Sequence, residues 1–325
     1  MPTPAAPARV GLGVWPDQGA LFHREGAAAV ERLLWHAAGV PVAWIDTSHA
    51  GDDGRHERAV GRWLAELPAD SRPAVMTKGG IVADGSARGG RCISALHPSV
   101  LRTQLDASLG ALGIDAVDAY LLHYPDETGV PVEVSWEAVA GLVAEGRARR
   151  AGLCAFDVDE VRRCEAVRHV DLCMTRLDPF SLDAHRPLLE WCEANGTDVV
   201  VWTPGDASLV FDPSYSGPLA RTPYDRSAVK LDRLLASDLA AEMSALEVIR
   251  EVARKAEIGP EGVIRAWLLA QPGVTGITVG AESGAQLDRW AFGADVTLRG
   301  EDLERVTLTR ELALSPPSRV GSSRS

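Results

Sequence analysis

Three short apolar runs in this chain end in groups that can hold or move a proton. Asp46 follows Val42–Ile45, Lys78 follows Ala74–Thr77, and His123 follows Ala119–Leu122. A carboxylate or an ammonium at the end of a buried strand is costly unless the two meet. Asp46 and Lys78 are the natural pair, and their coupling is expected to shift both pKa values. His123 adds an imidazole that titrates near neutrality. The plainer alternatives are a turn cap for Asp46, a snorkelling strand end for Lys78 and a packing imidazole for His123. Lysine is scarce here. Of 33 basic residues only Lys78, Lys230 and Lys255 are lysines, so one that closes an apolar run stands out.

The elements that must position these groups follow from periodicity. Apolar or β-branched runs at Val10–Trp15, Val42–Ser48, Ala74–Lys78, Ala116–His123, Arg149–Ala155, Val170–Arg176, Asp198–Thr203 and Val274–Val279 read as strands buried on both faces. Between them lie stretches of helical period. Val60, Trp63, Leu64 and Leu67 share one face, and Pro260 opens a helix with Val263, Ile264, Trp267 and Leu268 as its stripe. Eight such strands alternating with helices predict an α/β fold, a single-domain (β/α)8 TIM barrel over residues 10–314. Reacting groups in such barrels project from the C-terminal strand ends, which brings Asp46, Lys78 and His123 to one mouth. A dinucleotide-binding doubly wound sheet would need a GxGxxG loop after its first strand. Here Gly11-Leu12-Gly13 lies inside the run.

The gap from Thr203 to Val274 is longer than the others. Its Gly/Pro/Ser/Tyr-rich part, about 205–226, reads as a long loop over the mouth. Segments 1–9 and 315–325 are expected to be disordered.

Composition narrows the function. A net charge of −12 with no basic cluster argues against nucleic acid. Five scattered cysteines without CxxC spacing read as reduced thiols, not as a disulfide frame or zinc site. No apolar run approaches the roughly 20 residues of a membrane helix, and Met1–Arg9 lacks the apolar core of a signal peptide. A cytoplasmic protein acting on a small molecule is the expectation, its oligomeric state open. Trp15, Trp44, Trp202 and Tyr124, with His49 and with Tyr215 and Tyr224 from loops, would wall a substrate site. Cys154 near the mouth reads as structural, Asp52-Asp53 as a solvated turn without a metal, and His56 and Glu57 as solvent-facing.

Several segments in order resemble the aldo-keto reductases across about residues 10–305. They are DTSHAGDDGRHERAVG from Asp46, VMTKGG around Lys78, LDASLGALGIDAVDAYLLHYPD ending past His123, LVAEGRARRAGL, and GPEGVIRAWLLAQPGVTGITVGAESGAQLDRW. The resemblance implies a barrel that binds an extended NADPH and reduces a carbonyl with an Asp, Tyr, Lys and His tetrad, the tyrosine as general acid. Asp46, Lys78 and His123 match. The tyrosine position falls on Gly51.

Further departures concentrate on the cofactor. The family's Ser-Asn after strand five reads Cys154-Ala155, its strand-six glutamine falls on Met174, and its strand-seven aromatic falls on Trp202. Ser-Pro-Leu becomes Thr203-Pro204-Gly205, the Gln and Asn of the last motif become Gln286 and Trp290, and no basic residue matches near Glu282-Ser283. If NADPH is used, Cys154, Trp202, Ser283 and Gln286 are the positions to contact it. Ala155 and Met174 offer a buried carboxamide no side-chain partner, and a missing general acid forfeits about 10²–10⁴ in rate.

The first reading is therefore a redox-neutral enzyme without cofactor, performing dehydration or epimerisation next to a carbonyl on a sugar-like or secondary-metabolite substrate. The alternatives are an NADPH-dependent carbonyl reductase with a substituted acid, such as His49 or a loop tyrosine, and a non-catalytic ligand-binding protein on the same fold.

Overall fold

The computed structural model describes residues 9–15, 27–50, 54–83, 92–179, 181–203, 239–291, 297, 298 and 300–308. Eight parallel strands close into a barrel: β1 (Val10–Gly13), β2 (Trp44–Asp46), β3 (Ala74–Gly79), β6 (Val117–His123), β7 (Ala148–Cys154), β8 (Leu172–Arg176), β9 (Asp198–Thr203) and β10 (Val274–Val279). Parallel neighbours pair all the way round, β1 meeting both β2 and β10. The predicted (β/α)8 architecture is what is observed. Individual strands are shorter than the apolar runs in places; β2 keeps only Trp44–Asp46 of Val42–Ser48. There the flanking Val42, Ala43 and Thr47 still make backbone bonds outside the ladder.

Helices α1 (Ala27–Ala37), α2 (Arg55–Glu66), α3 (Pro98–Leu112), α4 (Val132–Ala144), α5 (Val158–Glu165), α6 (Leu182–Asn195), α7 (Leu239–Ala256), α8 (Pro260–Leu269), α9 (Gly284–Ala291) and α10 (Glu301–Thr307) surround the barrel. Their stripes meet the outward-facing strand residues in one core that includes Leu12, Ile45, Leu122, Leu153, Val201, Trp136 and Trp267. Val60, Trp63 and Leu64 are buried as their spacing predicts, and Pro260 sits in the first turn of α8. A second, smaller cluster fills the barrel axis: Met76, Ala119, Leu121, Cys154, Leu172, Met174 and Val200. Along Ala119–Leu122, Leu172–Met174 and Val199–Val201 the two clusters alternate residue by residue, as a pleated backbone requires.

Trp44 turns into the axis two residues before Asp46. Its Nε1 donates to Thr278 Oγ1 at 2.8 Å. A Cβ on Gly11 would lie 2.0 Å from this ring and one on Gly276 2.2 Å, so both glycines are required by the indole between them. The sequence reading of Trp44 as a substrate wall thus becomes a packing role at the floor of the mouth.

Two features depart from expectation. An antiparallel hairpin, β4 (Ile81–Ala83) with β5 (Cys92–Ser94), follows β3. Arg9, assigned to a disordered terminus, donates Nε to Thr275 O at 2.9 Å and its carbonyl accepts Ile277 N. Gly51, Asp52-Asp53, the 205–226 loop with Tyr215 and Tyr224, and segment 315–325 lie outside the described residues.

Candidate active site

The alternation that separates the two clusters decides which strand-end side chains face the mouth. Met76 and Leu121 point inward, so Lys78 and His123, two residues further on, do the same. Asp46 lies above Trp44 by the same rule. Lys78 Nζ donates to Asp46 Oδ1 and, at 3.2 Å, to Thr47 O. Trp15 Nε1 donates to Asp46 Oδ2 at 3.2 Å, and its ring lies 5.4 Å from Lys78 Nζ. Both charged groups are buried. Burial pushes the Asp46 carboxyl above its ordinary value, while the charge and hydrogen bond of Lys78 and the indole N–H pull it down. The expected pair is present, and Trp15 completes it with the one N–H that its second oxygen needs.

His123 closes β6, and its ring stands 4.4 Å, centroid to centroid, from that of Tyr124. Tyr124 has φ 75°, a left-handed backbone that a bulky residue adopts only when its surroundings impose it. The β4–β5 hairpin imposes it. Ser94 Oγ shares its one hydroxyl proton between the carbonyls of His123 (3.1 Å) and Tyr124 (3.0 Å). Ser94 N donates to Glu127 Oε2, and Glu127 N returns the bond to Ser94 O. Asp126 accepts the backbone N–H groups of Leu96, Thr128 and Val130. Burial alone would raise the Asp126 carboxyl, but these donors outweigh it and hold it below its ordinary value. The turn carrying His123 is thus clamped from both sides.

His49 is not brought to the Asp46–Lys78 pair by its ring. Its backbone N donates to Lys78 O at 3.3 Å, and its Nδ1 faces Glu57 Oε2 at 3.9 Å. Glu57 is the clearest correction. Expected at the surface, it is fully buried, and its Oε1 accepts Thr77 Oγ1 at 2.7 Å. The signal was available: positions 57, 60 and 64 share the helical face already assigned to the core.

On the far side of the mouth Cys154 is buried in the axial cluster, and desolvation pushes its thiol up to about 12. Ala155 follows with φ 61° and donates its N–H to Met174 O. Met174 is buried in the same cluster. Trp202 packs against that cluster, and its Nε1 is buried without a hydrogen-bond partner among the described residues. At α9, Gln286 N donates to Ser283 Oγ (3.2 Å) and Glu282 N to Gln286 Oε1 (2.6 Å), so these two residues serve the helix start. Burial raises the neighbouring Glu282 carboxyl. Trp290 packs into the main core beside Leu287. None of the five cysteines forms a disulfide with a described residue. Among the described residues no cluster has the makings of a metal site and no helix is long and apolar enough to cross a membrane.

The aldo/keto reductase family model matches residues 9–310, nearly the whole chain. This chain belongs to the aldo/keto reductase family. Aldo-keto reductase yakc [NADP(+)] of Schizosaccharomyces pombe is 27% identical over 256 residues, covering 78% of this chain and 74% of that protein. The NADH-specific methylglyoxal reductase of Escherichia coli is 25% identical over 319 residues, 94% of each. Among solved structures, the glycerol dehydrogenase AKR11B4 of Gluconobacter oxydans superposes with a TM-score of 0.81 at 20% identity, covering 99% of this chain and 97% of its own. That likeness carries the family's barrel.

Proposed function

We propose that this family member reduces a carbonyl compound with a nicotinamide nucleotide, and that Asp46, Lys78 and His123 form its polar centre. The reading is carried by the buried Lys78–Asp46 pair at the C-terminal rim, with His123 inward on the next strand of the barrel. The two relatives are named for NADP(+) and for NADH-specific reduction. Their names favour the reductase alternative over the redox-neutral, cofactor-free reading.

Two places among the described residues would suit such a nucleotide. Trp202 turns its indole inward against the axial cluster, where its face would suit stacking by a nicotinamide ring. Ser283 and Gln286 stand at the N-terminus of α9, where backbone N–H groups suit a phosphate. When bound, the nicotinamide supplies a hydride. The chain supplies charge and protons. Asp46 and Thr47 O fix the Lys78 ammonium, and Trp15 fixes Asp46, so the cation is preorganised beside the mouth to stabilise charge developing on a carbonyl oxygen. With glycine at position 51, the proton for that oxygen comes from His123, held by the clamped turn.

Titration of NADPH, followed by its fluorescence, should give saturable binding in the micromolar range. Incubation with methylglyoxal as a probe aldehyde should then give a product two hydrogens heavier. Lys78→Met should abolish that turnover with nucleotide affinity preserved. Absence of binding of both NADPH and NADH at millimolar nucleotide would overturn the proposal.

One observation favours a second reading. Cys154 and Met174 are buried in an apolar cluster where the family's carboxamide partners stand. A mouth lacking those groups suits redox-neutral acid–base chemistry next to a carbonyl, by the same Lys78 and His123. Turnover without nucleotide, with loss of water or no change of mass, would select it.

A further inference from the structure

Arg176 ends β8 and pairs in register with Trp202 of β9. Leu172 and Met174, four and two residues before it, belong to the axial cluster, whereas Cys173 between them belongs to the outer core. The pleat therefore turns Arg176 toward the mouth, just as it turns Lys78 and His123. Trp202 is inward too, since Val200 lies in the axial cluster. Two hydrogen-bond donors thus leave adjacent strands on the same side of the barrel, at the same height.

Neither donor is used up among the described residues. Trp202 Nε1 is buried and has no hydrogen-bond partner among the described residues. The guanidinium carries five N–H groups, and one of them meets Asp178 Oδ2 at 3.3 Å, a long contact between partly exposed groups. Asp178 has another duty. Its Oδ1 accepts Ser181 N at 2.8 Å, and its N–H donates to Ser181 Oγ at 3.0 Å, a turn that leads into α6. The fork of an arginine matches the two oxygens of a carboxylate.

We infer that Arg176, with the Trp202 N–H beside it, forms an anion subsite that selects carbonyl substrates bearing a carboxylate. The subsite deepens the carbonyl-reductase reading and rests on it for the reaction, though not for the binding of the anion.

The test compares 4-carboxybenzaldehyde with its neutral methyl ester, which differ by one charge. Quenching of tryptophan fluorescence reports binding with or without turnover, and steady-state kinetics with NADPH report reaction. Wild type should bind and reduce the acid with about 10- to 100-fold better Kd and KM than the ester. Arg176→Gln should abolish that preference, chiefly through KM, and Arg176→Lys should restore part of it. Unchanged ester kinetics and thermal midpoint in the variants would show that the fold is intact; should Arg176→Gln not fold, Arg176→Lys carries the comparison alone. A preference for the acid that survives in Arg176→Gln, or no preference in wild type, overturns the inference and leaves the reductase reading standing. A loss of NADPH affinity in Arg176→Gln, with the acid preference kept, would assign the cation to the nucleotide's phosphates and likewise overturns it. Acid-selective binding that needs Arg176 but leads to no reduction keeps the subsite and removes the reductase reading.

Discussion

Glu57 on α2 accepts the hydroxyl proton of Thr77 on β3 at 2.7 Å, with both side chains fully buried. Thr77 faces outward, and the next residue, Lys78, faces the mouth. The helix therefore grips from behind the strand that presents the ammonium. Glu57→Ala or Thr77→Val strands a buried polar partner and should lower the unfolding free energy by about 1–3 kcal/mol. Urea denaturation reads the loss, and a variant as stable as wild type would show that this contact does not hold the strand.

The Lys78–Asp46 pair separates stability from chemistry. Removing one partner leaves an uncompensated buried charge, so Asp46→Leu or Lys78→Met alone should cost about 3–5 kcal/mol. The double variant Asp46→Leu/Lys78→Met should regain much of that stability, because it buries no charge, yet remain inactive. Denaturation and turnover measured on all three variants check both halves.

Cys154 should be inert. Its thiol is buried and pushed up to about 12, so almost no thiolate exists near neutrality. Iodoacetamide at pH 8 should alkylate Cys154 only after unfolding, as peptide mass mapping would reveal. Rapid native modification would contradict the burial.

Asp126 sets an acid limit on the turn beyond His123. Its folded pKa lies below the unfolded value of about 3.9. The stability it lends is therefore complete above that unfolded value and is lost as pH falls through the folded one. The difference in unfolding free energy between wild type and Asp126→Asn should accordingly be largest near neutrality and shrink as pH falls below about 4.

Much of this arrangement was legible in the chain. Eight apolar runs mark the barrel because parallel strands are buried on both faces, and Asp46, Lys78 and His123 stand out because each is polar at the end of such a run. Arg176 ends its run in the same way and was readable by the same rule. Glu57 was misread as exposed because its charge outweighed the helical spacing that places it with Val60 and Leu64. The β4–β5 hairpin gave no comparable signal: its strands have three residues each, too few for a period to show. With the hairpin went Ser94, whose hydroxyl works through two backbone carbonyls and leaves no trace in residue spacing.

Trp44 has a consequence for traffic. Seated between Gly11 and Gly276 and tied to Thr278, its indole stands across the axis directly below Asp46. Nothing can pass through the barrel from that side, so whatever enters must leave by the way it came. Ligands that share the mouth therefore share one entrance.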